Sequence, residues 1–169
     1  RRVTSYLHGF GLETDIVWTD EGRQGTYYIE FGGEPRGTNV IYDRADAAVT
    51  TATPEELPTE RIREAEMFAT SGITPALSPT LQDTTHTLLA TAQEANTTTV
   101  FDVNYRSKLW DPSTARDALT ELLPAVDVLV SAKRDVAQVL QLDGAAETVA
   151  RQLAEIGRAS CRERVYCEV

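Results

Sequence analysis

Two arginines, Arg44 and Arg106, are the side chains of this sequence best suited to hold a small anionic ligand. Arg106 follows a short apolar run at residues 100–103, which predicts a buried strand, and ligands of open α/β sheets bind outside the carboxyl ends of such strands. Arg44 lies two residues after Tyr42, so the two side chains share one face of a strand. Because a guanidinium grips a planar oxyanion with two hydrogen bonds, the pair predicts a site for a carboxylate or a phosphate. The alternative is that each arginine pairs with a surface carboxylate, and it carries more weight for Arg44 than for Arg106.

The second part of the chain must supply the sheet that positions Arg106. Its apolar patterning alternates between strands and helices, which implies a parallel sheet with right-handed crossovers. The pattern predicts strands over 66–70, 98–103 and 127–130, with helices over 54–64, 78–96, 113–123, 133–140 and 145–154. The polar segments after the three strands, at 71–74, 104–106 and 131–135, are therefore expected at one sheet edge, and residues 71–75 are predicted to form a loop. Trp110 is predicted to belong to the core or to the hydrophobic staple of the helix that follows.

The first part of the chain has a different texture. Residues 25–31 and 38–44 are rich in β-forming side chains and are separated by a turn with three glycines and a proline, which predicts a hairpin. A further short strand is predicted at 15–18 and a helix at 2–10. If the hairpin folds over the sheet edge, the side chains of Tyr27 and Arg44 both face that edge. The resulting plan is the end of a helix at 1–14, a β lid at 15–50, an α/β part at 51–155 and a tail at 156–169.

Composition excludes several classes of partner. The chain has 169 residues and a net charge of −10, from 26 acidic and 16 basic residues, which argues against a nucleic-acid binder and against an anionic membrane surface. No apolar run is long enough to span a bilayer, and no secretory signal is visible. The expected location is the cytoplasm, and the acidic surplus would suit high salt. No Walker A, G-x-G-x-x-G or G-x-S-x-G sequence occurs, and no metal site is predicted.

The last residues differ from the body. Residues 156–169 hold both cysteines, Cys161 and Cys167, and resemble a translated sequencing adapter rather than native sequence. We therefore expect native sequence to stop near Glu155. Neither a disulfide nor a zinc site is predicted from the two cysteines.

The run Asp102-Val103-Asn104-Tyr105-Arg106-Ser107-Lys108-Leu109-Trp110 resembles the ribokinase-like (PfkB) sugar kinases, most of all those that phosphorylate 2-keto-3-deoxygluconate. Three supporting segments, at 25–28, 41–44 and 71–73, follow in the order of that family's motifs. The resemblance implies an α/β fold, a doubly wound and mostly parallel sheet (incomplete here) with a small antiparallel β lid. It also implies a kinase that uses ATP and Mg²⁺.

The resemblance also assigns roles. Four side chains and one backbone segment would bind the sugar acid: Tyr27, Tyr42, Arg44, Arg106 and the backbone around Ile73. The two arginines would pair with the carboxylate of the acid. Asn104 and Asp135 would lie toward the phosphates and the hydration shell of Mg²⁺. The lid would close over the sugar and often forms a dimer interface in such kinases, so a homodimer or higher homo-oligomer is an open expectation.

One family motif is missing. The Gly-Ala-Gly-Asp sequence that carries the catalytic base does not occur, and neither does the N-terminal strand with its sugar contacts. The expectation is therefore the middle segment of a kinase, with no catalytic residue of its own and no activity alone. The alternatives are another ribokinase-like enzyme such as a fructokinase, and a non-catalytic sugar-acid-binding remnant.

Overall fold

A computed structural model describes residues 2–156 of the chain. The strands are β1 Thr26–Glu30, β2 Asn39–Asp43, β3 Met67–Ser71, β4 Thr98–Asp102 and β5 Val128–Val130. The α-helices are α1 Arg2–His8, α2 Thr59–Glu64, α3 Ile73–Ala76, α4 Pro79–Glu94, α5 Pro112–Leu122, α6 Lys133–Asp135 and α7 Ala146–Ile156. Short 3-10 turns lie at Ala48–Thr51, Pro54–Glu56 and Leu123–Ala125, and a π-helical turn covers Val136–Leu140.

The predicted parallel sheet is present, in the order β3-β4-β5. Strand β4 is central and pairs with β3 from Met67↔Thr98 onward and with β5 from Val100↔Val128 onward. All three strands run in the same direction, so their carboxyl ends share one edge. The α/β class and the parallel sheet predicted from the sequence are therefore confirmed.

The core lies beneath the carboxyl half of β4. Phe101 is fully buried, and Val103 and Trp110 continue the same cluster into the segment that follows the strand. Helix α4 packs against β4 and α5, and α5 packs against the π-helical turn. Burial of Trp110 confirms its predicted place in the core.

Both long helices start at sequence signals that fix the loops before them. Ser78 caps α4 by accepting a hydrogen bond from the Leu81 N–H at 3.1 Å, and Asp111 caps α5 through the N–H groups of Ser113 and Thr114. Each cap is followed by a proline at the first helical position, where a missing N–H costs nothing. The segment from Asn104 to Trp110 is thereby held between the end of β4 and a fixed helix start.

The predicted hairpin is also present. Strands β1 and β2 pair antiparallel with Tyr27 opposite Tyr42 and Tyr28 opposite Ile41. The chain returning from β2 is tied to α4, because the Ser78 hydroxyl donates to the Thr50 carbonyl at 2.6 Å and the Thr84 hydroxyl to that of Ala52 at 2.9 Å. These bonds hold the base of the hairpin against the α/β part.

Two local predictions are wrong. Residues 15–18 form no strand, because no neighbouring segment pairs with them, and Val17 and Trp18 remain exposed. Residues 71–75 are not a plain loop: α3 begins at Ile73, since a proline within a first helical turn is tolerated. The helix predicted at 133–140 is present over that range, as one α turn continued directly by a π turn. The predicted tail at 156–169, with Cys161 and Cys167, lies almost entirely outside the described residues.

Candidate functional site

A cavity of about 410 Å³ opens at the carboxyl edge of the sheet. Three separate segments form its wall: the end of β2, the turn that follows β4 and the helical start that follows β5. The lining residues are Tyr42, Arg44, Tyr105, Arg106, Ser107, Lys108, Arg134, Asp135 and Gln138. The structure thus brings together four of the residues singled out from the sequence, namely Tyr42, Arg44, Arg106 and Asp135.

Arg44 reaches this cavity from the lid. Its guanidinium lies over the ring of Tyr42, 4.5 Å from the ring centroid, in a cation–π contact that limits the rotamers of the long side chain. Tyr27, opposite Tyr42 in the hairpin, stands behind it with the two ring centroids 6.3 Å apart. Tyr27 itself is not among the residues that line the cavity.

Arg106 reaches the cavity from the turn after β4. Its guanidinium makes one long contact, 3.5 Å, with the carbonyl of Tyr105. Within residues 2–156, neither Arg106 nor Arg44 forms a salt bridge, whereas the exposed Arg23 and Arg61 pair with Asp43 and Asp15. The structure therefore does not support the alternative in which each of the two arginines pairs with a surface carboxylate.

The turn that carries Arg106 is folded by its neighbours. Asn104 adopts φ +38°, a left-handed conformation in which asparagine is enriched, and this turns the chain sharply out of β4. Tyr105 is then buried, with its N–H donating to the Asp135 carboxylate at 3.1 Å and its hydroxyl to the Trp110 carbonyl at 3.1 Å. Because Tyr105 and Trp110 are fixed in the core, Arg106 between them is held at the cavity.

Two carboxylates stand at this edge of the sheet. Asp135 is buried and also accepts a hydrogen bond from the Arg134 Nε at 3.3 Å. Burial raises the pKa of Asp102 at the end of β4, and the negative charge of Asp135 adds to that effect. The backbone N–H of Asn104 and the charge of Arg106 act in the opposite direction. Of these two carboxylates, only that of Asp135 lines the cavity.

A larger cavity, about 710 Å³, lies on the other side of Arg44. It separates the lid from the start of α4, and Thr50, Leu77 and Ser78 form part of its wall. Tyr42, Arg44 and Lys108 line both cavities and therefore form the partition between them. Lys108 was not predicted from the sequence, because its place at both cavities depends on how the end of β2 approaches the turn after β4.

The remaining predicted site residues lie nearby but outside these walls. Ile73 is half-buried at the start of α3, directly after β3, and Asn104 is half-buried at the end of β4. Neither lines the two cavities around Arg44. Their assigned roles stay predictions.

Within residues 2–156 no group of three or more His, Cys, Asp or Glu side chains is arranged to hold a metal ion. In the same part of the chain, no helix combines the length and the apolar character needed to cross a bilayer.

Comparison with known proteins identifies the family. The model of the pfkB family carbohydrate kinases matches residues 1–166. A 2-dehydro-3-deoxygalactonokinase of Haloferax volcanii is 62% identical over 154 residues, covering 91% of this chain and 48% of that protein. A 2-dehydro-3-deoxygluconokinase of Thermoproteus tenax is 30% identical over 161 residues, covering 93% of this chain and 48% of that protein.

A solved structure agrees with these relatives. The crystal structure of a 2-dehydro-3-deoxygluconokinase from Thermotoga maritima superposes with a TM-score of 0.83 at 31% identity, covering 91% of this chain and 50% of that one. The chain spans about half the length of the curated relatives that it matches. The parallel sheet, the small antiparallel hairpin, the cationic cavity between them and the family match lead to one conclusion: this chain belongs to the pfkB family of carbohydrate kinases.

Proposed function

We propose that this chain provides the substrate-recognising part of a kinase that transfers the γ-phosphate of ATP to 2-keto-3-deoxygluconate. One observation carries the proposal: Tyr42, Arg44 and Arg106, from two distant segments, meet at one cavity, and neither arginine is engaged by a carboxylate within residues 2–156. A sugar acid brings the carboxylate that this arrangement lacks. A neutral sugar needs hydrogen bonds but no such charge.

The geometry supports a separate role for each side chain of the site. Arg44 and Arg106 hold the carboxylate from opposite walls, and the hydroxyl of Tyr42 is available to the sugar. Tyr27 supports Tyr42 from behind, and the backbone near Ile73 completes the sugar contacts. Phosphoryl transfer requires mainly positioning and charge stabilisation, so fixing the sugar in this way is the chain's contribution to the reaction.

Asn104 and Asp135 are proposed to face the phosphates. The Asp135 carboxylate accepts hydrogen bonds from the Tyr105 N–H and the Arg134 Nε but keeps lone pairs for further donors. A single carboxylate beside phosphates suits Mg²⁺, which keeps several waters and takes few protein ligands. When bound with the nucleotide, Mg²⁺ would neutralise charge on the transferring group. Asp135 would hold the waters of such an ion in place.

The epimeric sugar acid is a second candidate. The substrates derived from gluconate and galactonate differ at one hydroxyl, and the Haloferax volcanii relative, at 62% identity, is a 2-dehydro-3-deoxygalactonokinase. That relative favours the galactonate-derived acid. The carboxylate contacts proposed for Arg44 and Arg106 are the same for both epimers.

We also propose that the hairpin joins two copies of the chain. The hairpin carries the cross-strand pair Tyr28 and Ile41, which are 60% and 47% exposed, although Ile41 also lines the larger cavity. Covering such a pair in a homodimer would bury apolar area. The proposed location is the cytoplasm, where ATP is available, and the surplus of acidic over basic residues would favour solubility at high salt.

The function is tested by completing the protein. Residues 1–155 replace the matching segment of the Haloferax volcanii relative, and the chimera is assayed for ATP-dependent phosphorylation of both epimers. We expect phosphorylation of at least one epimer by the chimera, and none by the 169-residue chain alone, since its sequence has no Gly-Ala-Gly-Asp motif to supply the base. A folded chimera that binds ATP but phosphorylates neither acid would contradict the proposal.

A further inference from the structure

We propose that Lys108 is a third anion-binding cation of this site and positions an acidic ligand together with Arg44 and Arg106. Lys108 is exposed and lines both the 410 Å³ and the 710 Å³ cavities, as Arg44 does. The Leu109 N–H donates to the Arg106 carbonyl at 2.9 Å, and this tight turn keeps Lys108 on the same wall as Arg106. The ligand class is a small organic acid with a carboxylate or phosphate group. Its assignment as a sugar acid rests on the function proposed above.

The charge around Lys108 is unusual for this protein. The chain carries a net charge of −10 and has only two lysines, Lys108 and Lys133. The Nζ of Lys133 lies 4.0 Å from the Asp143 carboxylate, whereas Lys108 has no salt-bridge partner within residues 2–156. In a protein with so many acidic residues, a lysine that forms no salt bridge is available to bind an anionic ligand.

Two carboxylates in this part of the molecule have hydrogen-bond partners of their own. Asp111, three residues along the chain, accepts hydrogen bonds from the Ser113 and Thr114 side chains and backbone, and these bonds hold the pKa of Asp111 well below its usual range. Asp135, across the smaller cavity, accepts from Arg134 and from the Tyr105 N–H. Asp46 lines the larger cavity together with Lys108, but within residues 2–156 no salt bridge joins Lys108 to Asp46, Asp111 or Asp135.

The smaller cavity therefore concentrates positive charge. Four cationic side chains line it, and Asp135 is the one carboxylate on its wall within the described residues: the cations are Arg44, Arg106, Lys108 and Arg134. A cleft lined by one sign of charge raises the local concentration of ions of the other sign. A lysine ammonium acts as a mobile point charge beside the planar guanidinium groups, and it can follow either oxygen of a carboxylate.

The test uses pyridoxal 5′-phosphate, an anionic aldehyde, on the 169-residue chain. The aldehyde condenses with a lysine amine to an imine and water, and borohydride then reduces the imine to a stable secondary amine that mass spectrometry locates. We expect Lys108 to be labelled about tenfold or more faster than Lys133, the low end of the enrichment that a focused field gives. Formaldehyde with the same reductant is the matched neutral probe, and it is expected to label both lysines at similar rates because both are exposed.

Arg44→Gln is expected to reduce labelling of Lys108 by the anionic probe, while Arg61→Gln, at an exposed ion pair with Asp15, leaves it unchanged. Equal rates at the two lysines with the anionic probe, or a Lys108 preference that the neutral probe reproduces, would overturn the inference. Protection of Lys108 by 2-keto-3-deoxygluconate would support the sugar-acid assignment. If inorganic phosphate protects Lys108 from labelling and neither sugar acid does, the result would support the anion site and count against the proposed function.

Discussion

Replacing Arg106 by glutamine is expected to weaken binding of the sugar acid by about 2–4 kcal/mol, roughly 30- to 1,000-fold in Kd. Arg106 is half-buried, sits in a turn fixed by Tyr105 and Trp110, and has no carboxylate partner within the described residues. A ligand carboxylate that loses this guanidinium stays in the cavity with part of its charge unpaired. The measurement is the affinity of the chimera for the sugar acid, by equilibrium titration, with kcat/KM recorded beside it.

The controls separate lost charge from lost structure. Arg44→Gln should weaken binding in the same direction, because Arg44 lines the same cavity from the lid. Arg61→Gln should leave affinity unchanged, since that exposed side chain pairs with Asp15 at 2.8 Å outside the cavity. Arg106→Lys keeps the charge but not the two-pronged hydrogen bonding, and should recover part of the loss. An Arg106→Gln chimera that binds the acid as tightly as the parent would show that the carboxylate lies elsewhere.

Replacing Gly72 by alanine is expected to lower the free energy of unfolding by about 1–2 kcal/mol. Gly72 joins β3 to α3, and its N–H donates to the Asp102 carbonyl at 2.8 Å. A Cβ at this position would overlap the backbone carbonyl oxygen of Val103, which cannot rotate away as a side chain could. The φ of −62° and ψ of −10° suit alanine, so the cost is steric, and overpacking of this kind costs about 1–3 kcal/mol. The entropic gain of a Gly to Ala change, about 0.4–1 kcal/mol, offsets only part of it.

Gly33→Ala is the matched control for this prediction. No heavy atom lies within 4 Å of the place where its Cβ would stand, so stability should stay equal or rise slightly. Urea unfolding of the 169-residue chain, followed by far-UV circular dichroism, compares the two variants through their midpoints. Equal midpoints for Gly72→Ala and Gly33→Ala would mean that Gly72 does not approach the Val103 carbonyl as closely as described. The same shift at Gly72 should also move Ile73 and weaken sugar binding.

The sequence was sufficient for the features that depend on local patterning. The apolar run at 100–103 followed by polar residues placed Arg106 correctly at a sheet edge, because parallel strands must end together. Trp110 was placed in the core, and the helices α4 and α5 began close to their predicted starts at 78 and 113. These features follow from short-range signals that the tertiary structure does not override.

The features that the sequence did not predict depend on tertiary contacts. Residues 15–18 have the composition of a strand, but a strand requires a partner, and none lies beside them. The place of Lys108 depends on how β2, some 65 residues earlier in the chain, folds over the turn after β4, and no spacing in the sequence encodes that approach. Asp135 was assigned a role from the family resemblance, and that resemblance did not reveal its hydrogen bond to the Tyr105 N–H, which ties the β5 end to the β4 end.

The central claim is that the cavity between Arg44 and Arg106 selects a sugar by its carboxylate, and substrate discrimination by the chimera tests it most directly. The measurement is the ratio of kcat/KM for 2-keto-3-deoxygluconate, or its galactonate-derived epimer, to kcat/KM for fructose, with ATP as donor. We predict a ratio of at least about a hundredfold in favour of the sugar acid, equivalent to about 2.7 kcal/mol, that falls toward one in the Arg106→Gln chimera. A chimera that phosphorylates fructose as efficiently as the acid would contradict the account and identify the site as one for a neutral sugar.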